Sequence, residues 1–176
     1  MLDKLLDFIL TFIKDILPFF IIKQWEKGVI LRWGRFHRVV NPGFILKIPF
    51  ADALYDTIII TRTVSVPTQS LTTKDGKQIV VKSVVKYHID DVKAFTLEVY
   101  DSHDAILDTA QAIIKEQIIE RTWDECRDPR MDGRIAGKLQ LAVKRWGIDI
   151  EKVTLSSIGL IRSIRLFNET ETAKNE

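Results

Sequence analysis

The side chains able to do nucleophilic, acid–base or metal chemistry are few and scattered. His37, His88, His103 and Cys126 fall on separate stretches of the chain. None has a second His, Cys or carboxylate at ligand spacing, and no P-loop, nucleophile elbow or zinc-protease motif is present. Asp75 and His88 could meet across a hairpin, but a turn carboxylate and a strand-face histidine are ordinary structural occupants of such places. The expectation is therefore a protein that is not an enzyme and has no cofactor and no metal. Cys126 is alone, so no intrachain disulfide can form.

A different chemistry is concentrated between residues 23 and 38. Lys23, Lys27, Arg32, Arg35 and Arg38 are interleaved with Trp25, Trp33 and the titratable His37. Beside a bilayer, each cation gains roughly 1 kcal/mol from anionic head groups, and indole rings favour the interface. These five cations are candidate head-group contacts, and the two tryptophans are candidate membrane contacts. The competing reading is a strand edge protected by charge. Aromatic and basic residues also mark single-strand nucleic-acid binders, but a net charge of +2 gives no concentrated basic face, so nucleic acid is not expected as a partner.

The segment before this cluster supplies the reason to favour lipid. Asp3, Lys4, Asp7, Thr11, Lys14 and Asp15 recur at helical spacing and occupy an arc of roughly 120°. Leu5, Leu6, Phe8, Ile9, Phe12, Ile13, Ile16 and Leu17 fill the remaining arc, and Phe19 and Phe20 carry the apolar run past Pro18. The pattern predicts an amphipathic helix over residues 1–23 that lies in a membrane interface. Spanning is the rival: Lys14 and Asp15 at mid-depth cost roughly 5–7 kcal/mol against a gain of roughly 4–8 kcal/mol from the apolar residues. A helix packed on a globular core is the third reading. The n-region mixes acid with base and no small-residue cleavage site follows, which argues against a secretory signal.

Behind the segment, residues 24–89 read as strands joined by turns. Asn41–Pro42–Gly43 and Lys74–Asp75–Gly76 are turn signals, Thr57 to Val66 is a β-branched run stopped by Pro67, and Gln78–Ile89 is a strand. In it Ile79, Val81, Val85, Tyr87 and Ile89 share a buried face, while Lys82, Lys86 and His88 share a wet one. From residue 90 the period turns helical. Ser102 is the expected N-cap of a helix to Arg121, Thr122 and Glu125 form a capping box, and Asp128–Pro129 and Asp132–Gly133 read as a turn or kink before an amphipathic helix of Ile135, Leu139, Ala142, Val143 and Trp146. Ile148–Ile164 is a final strand, with Leu155 and Ile158 on opposite faces, and a polar tail occupies 168–176.

Four blocks, in order, resemble the SPFH or Band 7 family of stomatins, prohibitins, flotillins and HflC-like proteins. They are residues 28–35 (GVILRWGR), Asn41–Pro42–Gly43–Phe44 with Ile48–Pro49–Phe50, Leu71–Thr72–Thr73–Lys74–Asp75–Gly76, and Trp146–Gly147–Ile148–Asp149. The resemblance implies an α+β fold: an N-terminal membrane helix, a β-rich membrane-proximal subdomain over 24–89 and an α/β subdomain over 90–167. It also implies a membrane-anchored scaffold that associates with itself in rings or larger homo-oligomers and organises a membrane patch or encloses membrane proteins. The alternative is a regulatory adaptor or inhibitor of one integral membrane protein, such as a membrane protease. Family members usually continue into a long coiled coil, which this short chain does not show. If residues 1–22 span, the positive charge that follows them is expected to place the globular part on the cytoplasmic face, and an interfacial helix delivered from the cytosol gives the same side.

Overall fold

The computed structural model describes Lys4 and residues 19–161. Lys4 is helical and exposed. The rest of the expected N-terminal helix up to Pro18, and the polar tail, lie outside the described residues. Among the described residues, no helix is long and apolar enough to cross a membrane.

Phe19–Ile22 do not extend the helix; they form strand β1, paired antiparallel with β4 (Gly43–Leu46) in a two-stranded ribbon. Two reasons apply. Pro18 cannot donate a helical hydrogen bond, and the aromatic and β-branched residues that follow fit a pleated surface where β4 supplies backbone partners. Ile22 is then buried with Ile30 and Val40. Residues 19–22 are therefore not part of the helix predicted over 1–23.

Three further strands form an antiparallel sheet in the order β3 (Arg35–Val40), β2 (Glu26–Arg32), β5 (Asp52–Ile58). A second sheet has the order β6 (Arg62–Thr72), β7 (Gln78–Ile89), β8 (Ile148–Leu160). The single strand expected over Thr57–Val66 is thus divided between two sheets, with the crossing at residues 59–61. Pro67 does not end β6, because β6 is an edge strand and the register shifts between Val66 and Gln69, a bulge that accommodates a residue without an N–H. Since β6 and β7 share their sheet with β8, the boundary expected at residue 89 moves to 59–61.

Helices α1 (Val92–Leu97), α2 (Ser102–Ile119), α3 (Trp123–Cys126) and α4 (Arg130–Val143) follow, with a 3-10 turn at Lys144–Trp146. Ser102 is inside α2, not its cap. The capping residue is Asp101, and the Ser102 hydroxyl donates instead to the Phe95 carbonyl. Thr122 and Glu125 do form the expected box: the Thr122 N–H donates to the Glu125 carboxylate at 2.8 Å. The expected break falls at Asp128–Pro129, between α3 and α4, whereas Asp132 and Gly133 lie within α4, and the Asp132 carboxylate accepts from the Leu155 N–H at 3.1 Å.

The main core lies between the second sheet and the pair α2 and α4. Ile79, Val85 and Tyr87 meet Ile106, Ile118 and Leu139, all buried. Alternation in β7 holds as the sequence predicts. In β8 it fails, because register shifts opposite Lys82/Ser83 and Lys86/Tyr87 each add one residue, Ser156 and Glu151. Leu155 and Ile158 consequently both pack against the core. The two sheets are joined through Val29, Ile89 and Val92. There the N–H groups of Asp90 and Asp91 donate to the Gly147 carbonyl, and Asp91 caps α1.

Candidate membrane-docking surface

The β1–β4 ribbon has two apolar faces. Phe20, Ile22 and Ile45 turn inward, while Phe19, Ile21, Phe44 and Leu46 alternate to the outside. The Phe19 and Phe44 rings stack with centroids 5.0 Å apart. Ile21 is 72% exposed, Phe44 62% and Leu46 65%. A solvated ribbon would carry polar residues at these positions.

Two turns continue the surface. Trp33–Gly34 joins β2 to β3 as a two-residue loop with both residues at positive φ, 51° and 74°, which is the hairpin turn usually built from Asn-Gly. Phe50, in the turn between β4 and β5, has φ 64°. An L-residue in this region is strained by roughly 1–2 kcal/mol; of the three non-glycine residues held there, Asp101 lies elsewhere and the two on this surface are large aromatics pointing to the outside, 77% and 81% exposed. The turns are tied together by the Trp33 N–H donating to the Ala51 carbonyl at 2.9 Å. Beneath them Arg32 makes a bidentate pair with Asp52, Nε to Oδ1 at 2.7 Å and a terminal nitrogen to Oδ2 at 3.1 Å. That pair, with the Ile48 N–H also donating to Asp52, holds the carboxyl well below the usual range, at about 2. A shallow cleft of about 380 Å³ lies between Trp33, Phe50 and Lys47.

The predicted contacts are only partly brought together. Trp33 belongs to this lip, and Phe19 leads into it from the N-terminal segment. Trp25 sits at the opposite end of β2, where its carbonyl accepts from the Ile59 N–H near the join between the sheets. Lys23 and Lys27 are at that far end too, and Lys23 pairs with Glu26 at 3.3 Å. Arg32 is committed to Asp52. Arg35 and Arg38 project from the exposed strand β3, and of the two only Arg35 adjoins the lip. Lys47, not singled out from sequence, stands over the Phe20 ring at 4.5 Å. Phe44, Leu46, Ile48 and Phe50, also not singled out as contacts, belong to the same surface. Their signal is the run from Phe44 to Phe50, in which Lys47 is the only charged residue and no alternation separates a wet face from a dry one. The predicted contacts from Leu5 to Leu17 lie outside the described residues.

The scattered reactive residues stay apart. Asp75 and His88 flank opposite ends of β7, so the pairing considered from sequence does not form. Asp75 instead closes its own turn, accepting from the Thr73 hydroxyl at 2.6 Å and the Trp123 N–H at 3.1 Å and pairing with Lys77. These donors hold it at about 2. His88 Nδ1 lies 3.4 Å from Glu151 and 3.8 Å from Asp149. Cys126 is buried, and burial raises its thiol pKa. Among the described residues no three of His, Cys, Asp and Glu are placed to hold a metal ion.

The fold thus joins a β-rich subdomain, which carries the exposed apolar lip beside β1, to an α/β subdomain. The family model described as SPFH domain / Band 7 matches residues 20–175, and the chain belongs to that family. It is 34% identical over 140 residues to the uncharacterized protein MJ0827 of Methanocaldococcus jannaschii, covering 78% of this chain and 70% of that protein. It is 31% identical over 148 residues to Stomatin-3 of Caenorhabditis elegans, covering 82% and 55%. Similarity to human Stomatin-like protein 1 is 27% over 140 residues, covering 77% and 35%. The chain thus spans about half the length of Stomatin-3 and a third of the human relative.

Proposed function

We propose that the protein is a membrane-anchored scaffold that associates with itself, held by its N-terminal apolar segment and docked through the lip of Trp33, Phe50 and the β1–β4 ribbon. One observation carries this reading: the exposed apolar surface is continuous with the strand into which the N-terminal segment runs. Patches of this kind mark interaction surfaces. The strain at Trp33 and Phe50 is the cost of presenting large aromatics outward. Membership of a family with stomatin relatives fits the reading, and the body would then stand on the cytoplasmic face, on the side of the positive charge.

Because β1 is part of the folded body, the test uses substitutions in the full chain and not removal of residues 1–22. Trp33→Asp with Phe50→Asp should weaken sedimentation with anionic vesicles at least about tenfold, since two anionic side chains would replace rings favoured at the interface. Tyr100→Asp, at a fully exposed residue outside the lip, should leave it unchanged. Equal behaviour of the two variants would refute docking through the lip. Single-molecule photobleaching on vesicles should show multiple copies per spot, and uniform single steps would refute the scaffold.

A further inference from the structure

We infer that the helical layer of the α/β subdomain is the contact between copies, with the basic turn that closes α4, Lys144 and Arg145, of one copy seated on the acidic first turns of α2, Asp104 and Asp108, of the next. The inference rests on the self-association proposed above. On α2, Asp104 and Asp108 are exposed one turn apart, with Asp101 just before them. On α4, Arg130 and Arg134 are likewise exposed one turn apart, and Leu141, Lys144 and Arg145 continue the ridge; Leu141 is 78% exposed. Like charges at this spacing repel within a helix. The ion pairs of the described residues leave both ridges uncompensated, and the two helices share a single bridge, Lys138 to Glu116 at 2.8 Å. Gly133 and Gly137 lie in the exposed part of α4, and a Cβ at either would meet nothing within 4 Å, so this fold does not itself require glycine there. A neighbour lying close against the helix would.

The direction of the helices makes the ridges match. α2 runs away from the join between the sheets, from Ser102 at the Phe95 carbonyl to Arg121, whose carbonyl accepts from Lys74 in the far turn. α4 runs back, ending where Gly147 meets Asp91. At 1.5 Å per residue, Asp104 stands about 22 Å from the far end of α2 and Lys144, just past the end of α4, about 21 Å from the far end of α4, whereas Arg130 and Arg134 stand at that far end and do not face the carboxylates. Copies held upright by one membrane present equal heights to one another. The α2 carboxylates of one then oppose Lys144 and Arg145 of the next, and anchoring raises the effective concentration of the contact.

The test uses the full chain in detergent and on phosphatidylcholine vesicles, with subunit number read by photobleaching and affinity by dilution. Asp104→Lys with Asp108→Lys, and separately Lys144→Glu with Arg145→Glu, should each weaken association at least about tenfold. All four substitutions in one chain exchange the signs and should restore it. Association of the native chain should also weaken on going to about 1 M salt, where charges are screened beyond about 3 Å. Native-like association of either reversed variant, failure of the combined variant to recover while it melts as the native chain does, or salt-independent association would overturn the proposal. A different protein as the occupant of the ridges would give the first of these results. A native chain that is monomeric on vesicles would instead overturn the scaffold reading itself.

Discussion

Asp52 and Asp75 act as clamps on turns, and their chemistry fixes how stability depends on pH. Each has a folded pKa of about 2 against an ordinary value of 3.8, Asp52 through Arg32 and Asp75 chiefly through the Thr73 hydroxyl. The unfolded chain therefore binds protons first as pH falls, so the stabilisation is fully present above about pH 4 and is lost on the way to about pH 2. Melting temperature should be level near neutrality and drop across that window. Asp52→Asn with Asp75→Asn should lower it at pH 7 and flatten the drop, a result read directly by thermal unfolding at a series of pH values. Trp33 offers the opposite trade. Trp33→Asn places at φ 51° a residue that tolerates the left-handed region, in the turn sequence that hairpins favour, and should stabilise the soluble form by about 1 kcal/mol while reducing vesicle binding. If denaturant unfolding shows no gain, the aromatic is not held against its backbone preference.

Among the elements, the join between the sheets depends on one glycine. Gly147 ends the 3-10 turn at φ 71°, and a Cβ there would lie 2.2 Å from the Asp91 carbonyl oxygen, which itself accepts from the Phe95 N–H to start α1. Neither the side chain nor the backbone can yield without breaking that contact. Gly147→Ala should therefore cost more than about 2 kcal/mol in denaturant unfolding, through strain and the displaced α1 together. Gly133→Ala in α4 meets no neighbour and replaces glycine in a helix, so it should stabilise by up to about 1 kcal/mol. The pair of variants separates a glycine the fold requires from one it does not.

At the scale of the whole molecule, the position of each cation along the body matters more than its presence in the sequence. Arg35 and Lys47 adjoin the lip, whereas Lys23 and Lys27 stand at the far end of β2. Arg35→Gln with Lys47→Gln should weaken binding to anionic vesicles by roughly tenfold or more at low salt, with little effect from Lys23→Gln and Lys27→Gln. Equal losses would mean the body does not dock by the lip. Much of this architecture is legible in local pattern, because burial on one face of an element imposes its period on the residues: β7 with its alternating Ile79, Val85 and Tyr87, the Thr122–Glu125 box, and the helical stripe of α2. The order of the four family blocks is equally a property of sequence. Local pattern could not assign Phe19–Ile22 to a strand, since their apolar run suits either period and only β4 provides the partner. Nor could it show that Thr57–Val66 divides between two sheets, that a bulge carries β6 through Pro67, or that Trp25 and Trp33 point from opposite ends of one strand. Register, bulges and strand partners are long-range pairings, and proximity in sequence says nothing about which end of a strand meets which surface. The lip exists for the same reason: its aromatics come from separate turns, and only the folding of β2, β4 and β5 against one another sets them side by side.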